Sequence, residues 1–176
     1  MTKRTPDIER RERDFYPTPP EAIKPLLPHL PPMTFYDEPF CGDGAVIRAL
    51  SPHGHFCSFA SDLEPHGVGH KIDVFDRMHC GGSMFITNSP WPAKFKKGEP
   101  TISMIQHLTR FASVWILLSA DFWHNKYFDR IGAYCTDIVS VGRVSWMMNG
   151  KGGLDNCSWY RFDTEPSDTH RFHWRT

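Results

Sequence analysis

The sequence predicts an α/β fold: a mostly parallel sheet with helices on both faces and an antiparallel hairpin towards its carboxyl end. Three observations carry this expectation. Short apolar, strand-like runs alternate with segments of helical spacing between residues 34 and 119. A glycine turn, Cys41-Gly42-Asp43-Gly44, separates the first of these runs from the first helical segment after it. Two β-rich stretches, Ile138–Trp146 and Cys157–Phe162, flank the turn-forming Asn149-Gly150-Lys151-Gly152-Gly153. Strand–helix alternation selects parallel strands covered by crossover helices, whereas a glycine-rich turn between β-rich runs joins antiparallel neighbours.

Taken in order, residues 1–13 are polar, with five Lys/Arg against three Asp/Glu, and read as a flexible arm. In Asp14-Phe15-Tyr16-Pro17-Thr18-Pro19-Pro20 the prolines forbid helix until Thr18 can cap one starting near Pro19. Ala22, Ile23, Leu26 and Leu27 form its apolar face, and the Pro28–Pro32 stretch ends it. Residues 34–39 read as a strand, and Ala45–Leu50 as a helix stopped by Pro52. Phe56–Ser61 is a second strand ending at Asp62, and Met84–Thr87 a later one ending at Asn88. Ile102, Ile105, Leu108 and Phe111/Ala112 keep helical spacing, and Val114–Ser119 is a buried strand. Residues 14–176 are expected to form one domain, large enough for a proper core.

Composition narrows the function classes. The chain of 176 residues is 40% hydrophobic and 14% aromatic, values of a globular protein, and its formal net charge is zero. No overall field draws it to nucleic acid, so any such binding rests on local patches. Five widely spaced cysteines without a CxxC pair point to reduced thiols in a cytoplasm, the host's if the chain is phage-encoded. The longest apolar run, Val114 to Leu118, is too short to cross a membrane. Ten histidines fall in no HExxH or finger spacing, so no metal is expected.

Two segments carry chemistry. Glu38-Pro39-Phe40-Cys41-Gly42-Asp43-Gly44 leaves the first strand as a turn whose glycines let backbone approach a ligand closely. Asp62, at the end of the next strand, can accept both ribose hydroxyls of a nucleoside. The third glycine of a dinucleotide fingerprint is missing, since Ile47 stands there. The second segment, Asn88-Ser89-Pro90-Trp91, ends a later strand with an amide, a carbonyl held by proline and an aromatic plane, a set suited to a flat nitrogenous base. Ligands of open α/β sheets bind at such strand ends. Read alone, the same residues also fit an Asx turn with Trp91 in the core.

This order of motifs, over residues 14–162, resembles S-adenosylmethionine-dependent class I methyltransferases with a Rossmann-like sheet, in particular short phage-type DNA adenine N6 methyltransferases. The resemblance implies S-adenosylmethionine as cofactor, leaving as S-adenosylhomocysteine. It implies that Glu38 to Gly44 hold the methionine half, Asp62 with Leu63 the ribose, and Asp73 with Val74 the adenine. Phe15, Tyr16, Pro17 and Thr18 are similar to a segment touching the cofactor's carboxylate. Asn88, Ser89, Pro90 and Trp91 then form the catalytic site, and Lys94, Lys96 and Lys97 hold phosphates of substrate DNA, double- or single-stranded.

The chain departs from the family's motif at Ser89, where a proline is usual. That departure keeps other planar amines in view: RNA adenine, cytosine N4 or a protein glutamine. It also keeps a catalytically silent cofactor-binding module. No segment suffices for a target-recognition domain, so sequence selection falls to Lys94–Pro100, Gly150–Asn156, a homodimer mate or a partner subunit. Near the carboxyl end, Trp146, Trp159, Tyr160 and Trp174 read either as a base-stacking surface or as packed hairpin residues, with Arg143, Arg161, Arg171 and Arg175 adding basic tone.

Overall fold

The structure, a computed structural model, describes residues 17–90, 99–146, 153 and 155–175. Helix α1 (Pro20–Ile23) continues into a 3-10 segment, Lys24–His29, before strand β1 (Phe35–Glu38). Helix α2 (Ala45–Leu50) leads to β2 (Phe56–Asp62) and the short β3 (His70–Lys71). Strand β4 (Met84–Thr87), helix α3 (Glu99–Leu108) and β5 (Ser113–Ser119) follow. Three 3-10 turns between Phe122 and Tyr134 precede β6 (Cys135–Gly142), and β7 (Cys157–Phe162) and β8 (Arg171–His173) complete the chain.

Among the described residues these strands form one sheet in the order β3-β2-β1-β4-β5-β7-β6-β8. Strands β1 to β5 pair in parallel. Strand β7 runs antiparallel to both β5 and β6, as the glycine-rich turn predicts, and β8 adds in parallel at the β6 edge. The order reverses between β1 and β4, which makes their carboxyl ends the switch point where open α/β sheets bind ligands.

Alternating side chains build a core on each face. On one, Tyr36, Ile86, Trp115, Leu117 and Trp159 pack against Ala22, Ile23, Leu26, Val46 and Leu50 of α1, its extension and α2. On the other, Phe85, Ile116, Leu118, Tyr160 and Phe162 pack against Ile102, Ile105 and Leu108 of α3. Deep in the first core the Trp159 indole donates to the Ala22 carbonyl at 2.7 Å, fastening α1 to the hairpin.

Several expectations need correction. Thr18 does not cap α1: Pro19 occupies that position without a side-chain cap, and the Thr18 hydroxyl bonds elsewhere. The helix is α for only one turn, because Pro25 and Pro28 supply no N–H for i→i−4 bonds and the chain tightens to 3-10. Helix α3 ends at Leu108, leaving Phe111 and Ala112 in the following turn, and β6 ends at Gly142, short of Trp146. Strands β3 and β8 were not anticipated; His-Lys and Arg-Phe-His carry no apolar alternation.

The crossover from β3 to β4 carries a 3-10 turn, Val74–Asp76, in place of the α-helix usual in such a crossover. Asp37, fully buried on β1, substitutes for the missing helix packing. Its carboxylate pairs with the buried Arg77 guanidinium and accepts from the Gly81 and Gly82 amides at 2.9 and 3.1 Å. Gly82 is required by close approach: a Cβ there would lie 2.5 Å from the Tyr36 Cα. At the opposite edge, Asp137 of β6 accepts from Arg171 at 2.7 and 2.9 Å and from His173 at 2.8 Å. Burial pushes the Asp137 carboxyl up, but these bonds outweigh it and hold it well below the usual carboxylate range.

Candidate functional site

The sheet brings the predicted segments together. Glu38–Gly44 leaves β1, Asp62 and Leu63 end β2, Asp73 and Val74 follow β3, and Asn88–Pro90 follow β4. All four stand at carboxyl ends of adjacent parallel strands, around the switch point. Phe15, Tyr16, Trp91, Lys94, Lys96 and Lys97 lie outside the described residues.

The turn after β1 needs its glycines: Gly42 has φ +49° and Gly44 φ +80°, in the left-handed region. Asp62 pins this turn from β2. Its Oδ2 accepts from the Gly42 amide at 2.9 Å and its Oδ1 from the Glu64 amide at 2.8 Å. A carboxylate has about four lone-pair sites, so acceptor capacity remains on both oxygens for ribose hydroxyls. Burial raises the Asp62 carboxyl above its ordinary range, and the Gly42 amide opposes that rise. Beside it Leu63 is exposed, and the Asp62 carbonyl accepts from the Ile72 amide at 2.9 Å, which draws Asp73 and Val74 to the same rim. Asp73 is exposed, with its Oδ1 accepting from the Phe75 amide at 2.9 Å.

Sequence reasoning missed the loop that closes on the glycine turn. The His66 amide donates to the Gly42 carbonyl at 2.9 Å, and the buried Cys41 thiol donates to the Val68 carbonyl at 3.1 Å. Gly67 and Gly69, both at positive φ, were the available signal. Asp43 turns towards its own helix instead of the rim, accepting from the Ala45 amide at 3.1 Å and pairing with Arg48 at 2.8 Å. Burial first, then the Glu38 and Asp62 charges, push the Cys41 thiol up to about 12, so it is no nucleophile at neutral pH.

Glu38 is the most unusual group. It is 1% exposed; its Oε1 accepts weakly from the Thr87 hydroxyl at 3.4 Å, and its Oε2 has no partner among the described residues. Burial pushes its carboxyl well above the ordinary 4.5, and the Thr87 hydroxyl and Asn88 amide only partly offset this. A raised folded pKa contributes stability that is present below the unfolded value and lost as pH rises towards the folded one. Glu38→Gln mimics the neutral form, so its melting temperature should exceed that of the parent by a margin that grows above pH 4.5. Thermal unfolding across pH checks this; a margin independent of pH would contradict it.

Two strands' ends complete the site. Asn88 is half-buried and its Nδ2 donates to the buried Thr18 hydroxyl at 3.0 Å. Asn88 Oδ1 and the Oγ of Ser89, which is 3% exposed, have no partner among the described residues. Two acceptors without a partner among the described residues, Glu38 Oε2 and Asn88 Oδ1, thus lie at the neighbouring ends of β1 and β4, with the Ser89 hydroxyl next in the chain. A buried acceptor without a partner costs about 1–3 kcal/mol, which ordered water or a ligand that supplies donors relieves. Of the aromatics considered for stacking, Trp159 and Tyr160 are fully buried in the two cores, whereas Trp174 is 68% exposed and Trp146 half-buried.

S-adenosylmethionine fits these residues. If bound at this rim, its ammonium would call on the Glu38 carboxylate, its ribose on the remaining lone pairs of Asp62, and its adenine on the exposed Leu63 beside Asp73. Among the described residues no cluster of His, Cys, Asp and Glu could hold a metal ion, and no helix is long and apolar enough to cross a membrane.

No protein-family model matches the sequence, and neither does any curated protein. Solved structures do match. One is a Pyrococcus horikoshii protein assigned as an RNA methyltransferase: TM-score 0.55, 13% identity, covering 86% of this chain and 87% of that one. Another is a TehB-like SAM-dependent methyltransferase of Corynebacterium glutamicum, with TM-score 0.51, 15% identity and coverage of 83% and 88%. A dimethyladenosine transferase of Plasmodium falciparum gives TM-score 0.54 and 10% identity over 88% of this chain and 63% of that one. At these identities the likeness is one of fold. The chain has the Rossmann-like fold of the class I, SAM-dependent methyltransferases.

Proposed function

We propose that the protein is an S-adenosylmethionine-dependent methyltransferase acting on the N6 amine of adenine in DNA. The observation that carries this reading is the pair of unpartnered acceptors on Asn88 and Glu38 at the switch point, one suited to a substrate amine and the other to a cationic cofactor. The Asn-x-Pro segment supports the amine in particular.

When bound, S-adenosylmethionine supplies a methyl group on a sulfonium, already activated for displacement. The protein has to present the amine, whose lone pair is delocalised into the base. Asn88 Oδ1 and the Ser89 main-chain carbonyl accept the two amine hydrogens and favour a pyramidal nitrogen with its lone pair aimed at the methyl. Such acceptors act because they are preorganised. Pro90 contributes by fixing φ and removing a competing N–H. In-line placement of nitrogen and methyl supplies most of the remaining acceleration. A base inside a duplex must first be flipped out, at a cost of roughly a few kcal/mol. Trp91 and the lysines at 94, 96 and 97 are proposed to stack on that base and hold its phosphates.

Ser89 stands where this motif usually has proline, and its side chain is buried. Ser89→Pro should keep or raise turnover, because a compatible proline stabilises by about 0.4–1 kcal/mol and stiffens the loop. Turnover lost with cofactor affinity intact would mean that the serine serves a different amine. The reading itself is tested by incubating unmethylated DNA with the protein and S-adenosylmethionine and digesting it to nucleosides. N6-methyldeoxyadenosine is the expected product; N4-methylcytosine or no methylated nucleoside would reject adenine in DNA.

A further inference from the structure

We infer that Thr18 is a positioning residue for the amine site, holding the Asn88 side-chain amide so that Oδ1 faces the substrate. This rests on the amine-methylation reading above and departs from the cofactor-carboxylate contact that the family resemblance implies for Thr18. Thr18 is 5% exposed, and its hydroxyl accepts the Asn88 Nδ2 hydrogen at 3.0 Å, across 70 residues of sequence. The other end of the same amide, Oδ1, is buried without a partner among the described residues. An asparagine amide is nearly symmetric in shape, and only its hydrogen bonds decide which end points where. The Thr18 hydroxyl can accept or donate; here it accepts from Nδ2 and so holds the amide with Oδ1, the acceptor end an amine needs, left free.

The segment carrying Thr18 is built to be stiff. Pro17 and Pro19 flank it, and a residue before proline is confined to extended backbone. Pro19 itself is extended, with φ −71° and ψ 146°, and directly precedes α1. That short helix is tied to the hairpin by the Trp159–Ala22 bond and by the Ser145 amide donating to Glu21 at 3.1 Å. The hydroxyl thus arrives at Asn88 from a braced element.

Thr18→Val keeps the volume and removes the acceptor; Thr18→Ser keeps the acceptor. With saturating S-adenosylmethionine and DNA as substrate, the valine variant should lose kcat by about tenfold to a hundredfold, the range expected when a reacting group is slightly misplaced. Cofactor affinity by calorimetry should change by less than about twofold, and serine should restore kcat. A loss confined to cofactor affinity and recovered at saturation would overturn the inference in favour of a carboxylate contact. An activity-independent readout separates it from the functional reading: hydrogen exchange of the Asn88 side-chain amide, followed by NMR. Slow exchange in the parent and in Thr18→Ser, with fast exchange in Thr18→Val, is expected. Equal exchange in parent and valine variant overturns the inference even if the protein methylates nothing, whereas absence of methylation with the expected exchange pattern overturns only the proposed activity.

Discussion

Replacing Asn88 with alanine is expected to abolish methyl transfer while leaving cofactor affinity nearly unchanged. The amide's Nδ2 is engaged by Thr18, and its Oδ1 is the unpartnered acceptor assigned to the substrate amine. Losing one preorganised group of this kind costs on the order of a hundredfold or more in rate. The cofactor is bound, in the proposed reading, by the ends of β1, β2 and β3, which Asn88→Ala does not touch. Single-turnover kinetics with labelled cofactor measure the rate, and calorimetry the affinity. Near-normal turnover would reduce Asn88 to a turn residue ending β4. Loss of cofactor binding together with rate would place it in the cofactor pocket instead.

Asp62→Ala carries the second large effect, on affinity. The carboxylate has two tasks: it accepts the Gly42 and Glu64 amides, and it offers its remaining lone pairs to the ribose. Alanine removes the ribose partner and also releases the glycine turn, leaving the Gly42 amide unpaired. With about 1–3 kcal/mol for the ribose hydroxyls left without this partner, S-adenosylmethionine binding should weaken by about one to two decades. Asp62→Asn separates the two tasks, because its carbonyl oxygen can keep one main-chain bond. It should keep the parent's melting temperature more closely than alanine does while still weakening binding. Calorimetry that finds unchanged affinity for both variants would remove Asp62 from the cofactor site and leave it as the brace of the turn.

Much of the sheet was legible in the sequence, for a simple physical reason. Strands β4, β5 and β7 are buried runs whose apolar content follows from that burial, β1 and the half-exposed β2 set apolar residues beside polar ones, and each ends at a residue the pattern marks. Helix α2, between Gly44 and Pro52, is bounded by residues that punctuate any helix. The strand-end placement of Glu38, Asp62 and Asn88 was legible to the same extent, since they are polar residues at the ends of such runs; Asp73 follows β3, which carries no such run.

Features set by long-range partners were not legible. Thr18 before two prolines reads as a helix cap, because nothing nearby in sequence shows that Asn88 competes for its hydroxyl. Asp37 looks like an interruption of β1, yet Arg77 and the Gly81 and Gly82 amides make it the anchor of the next crossover. Strand β8 exists because Arg171 and His173 reach Asp137, so ion pairing rather than apolar alternation holds it at the edge. For Trp159 and Tyr160, of the two readings the sequence left open, packing is the one that holds: both rings are core.

The most direct measurement is transfer of a labelled methyl group from S-adenosylmethionine to duplex DNA, single-stranded DNA, RNA and protein, run in parallel with the parent and Asn88→Ala. The account predicts label on adenine N6 of DNA with the parent, and none above background with the variant. Label only on RNA or protein, equal labelling by both proteins, or no transfer despite cofactor binding would each contradict it.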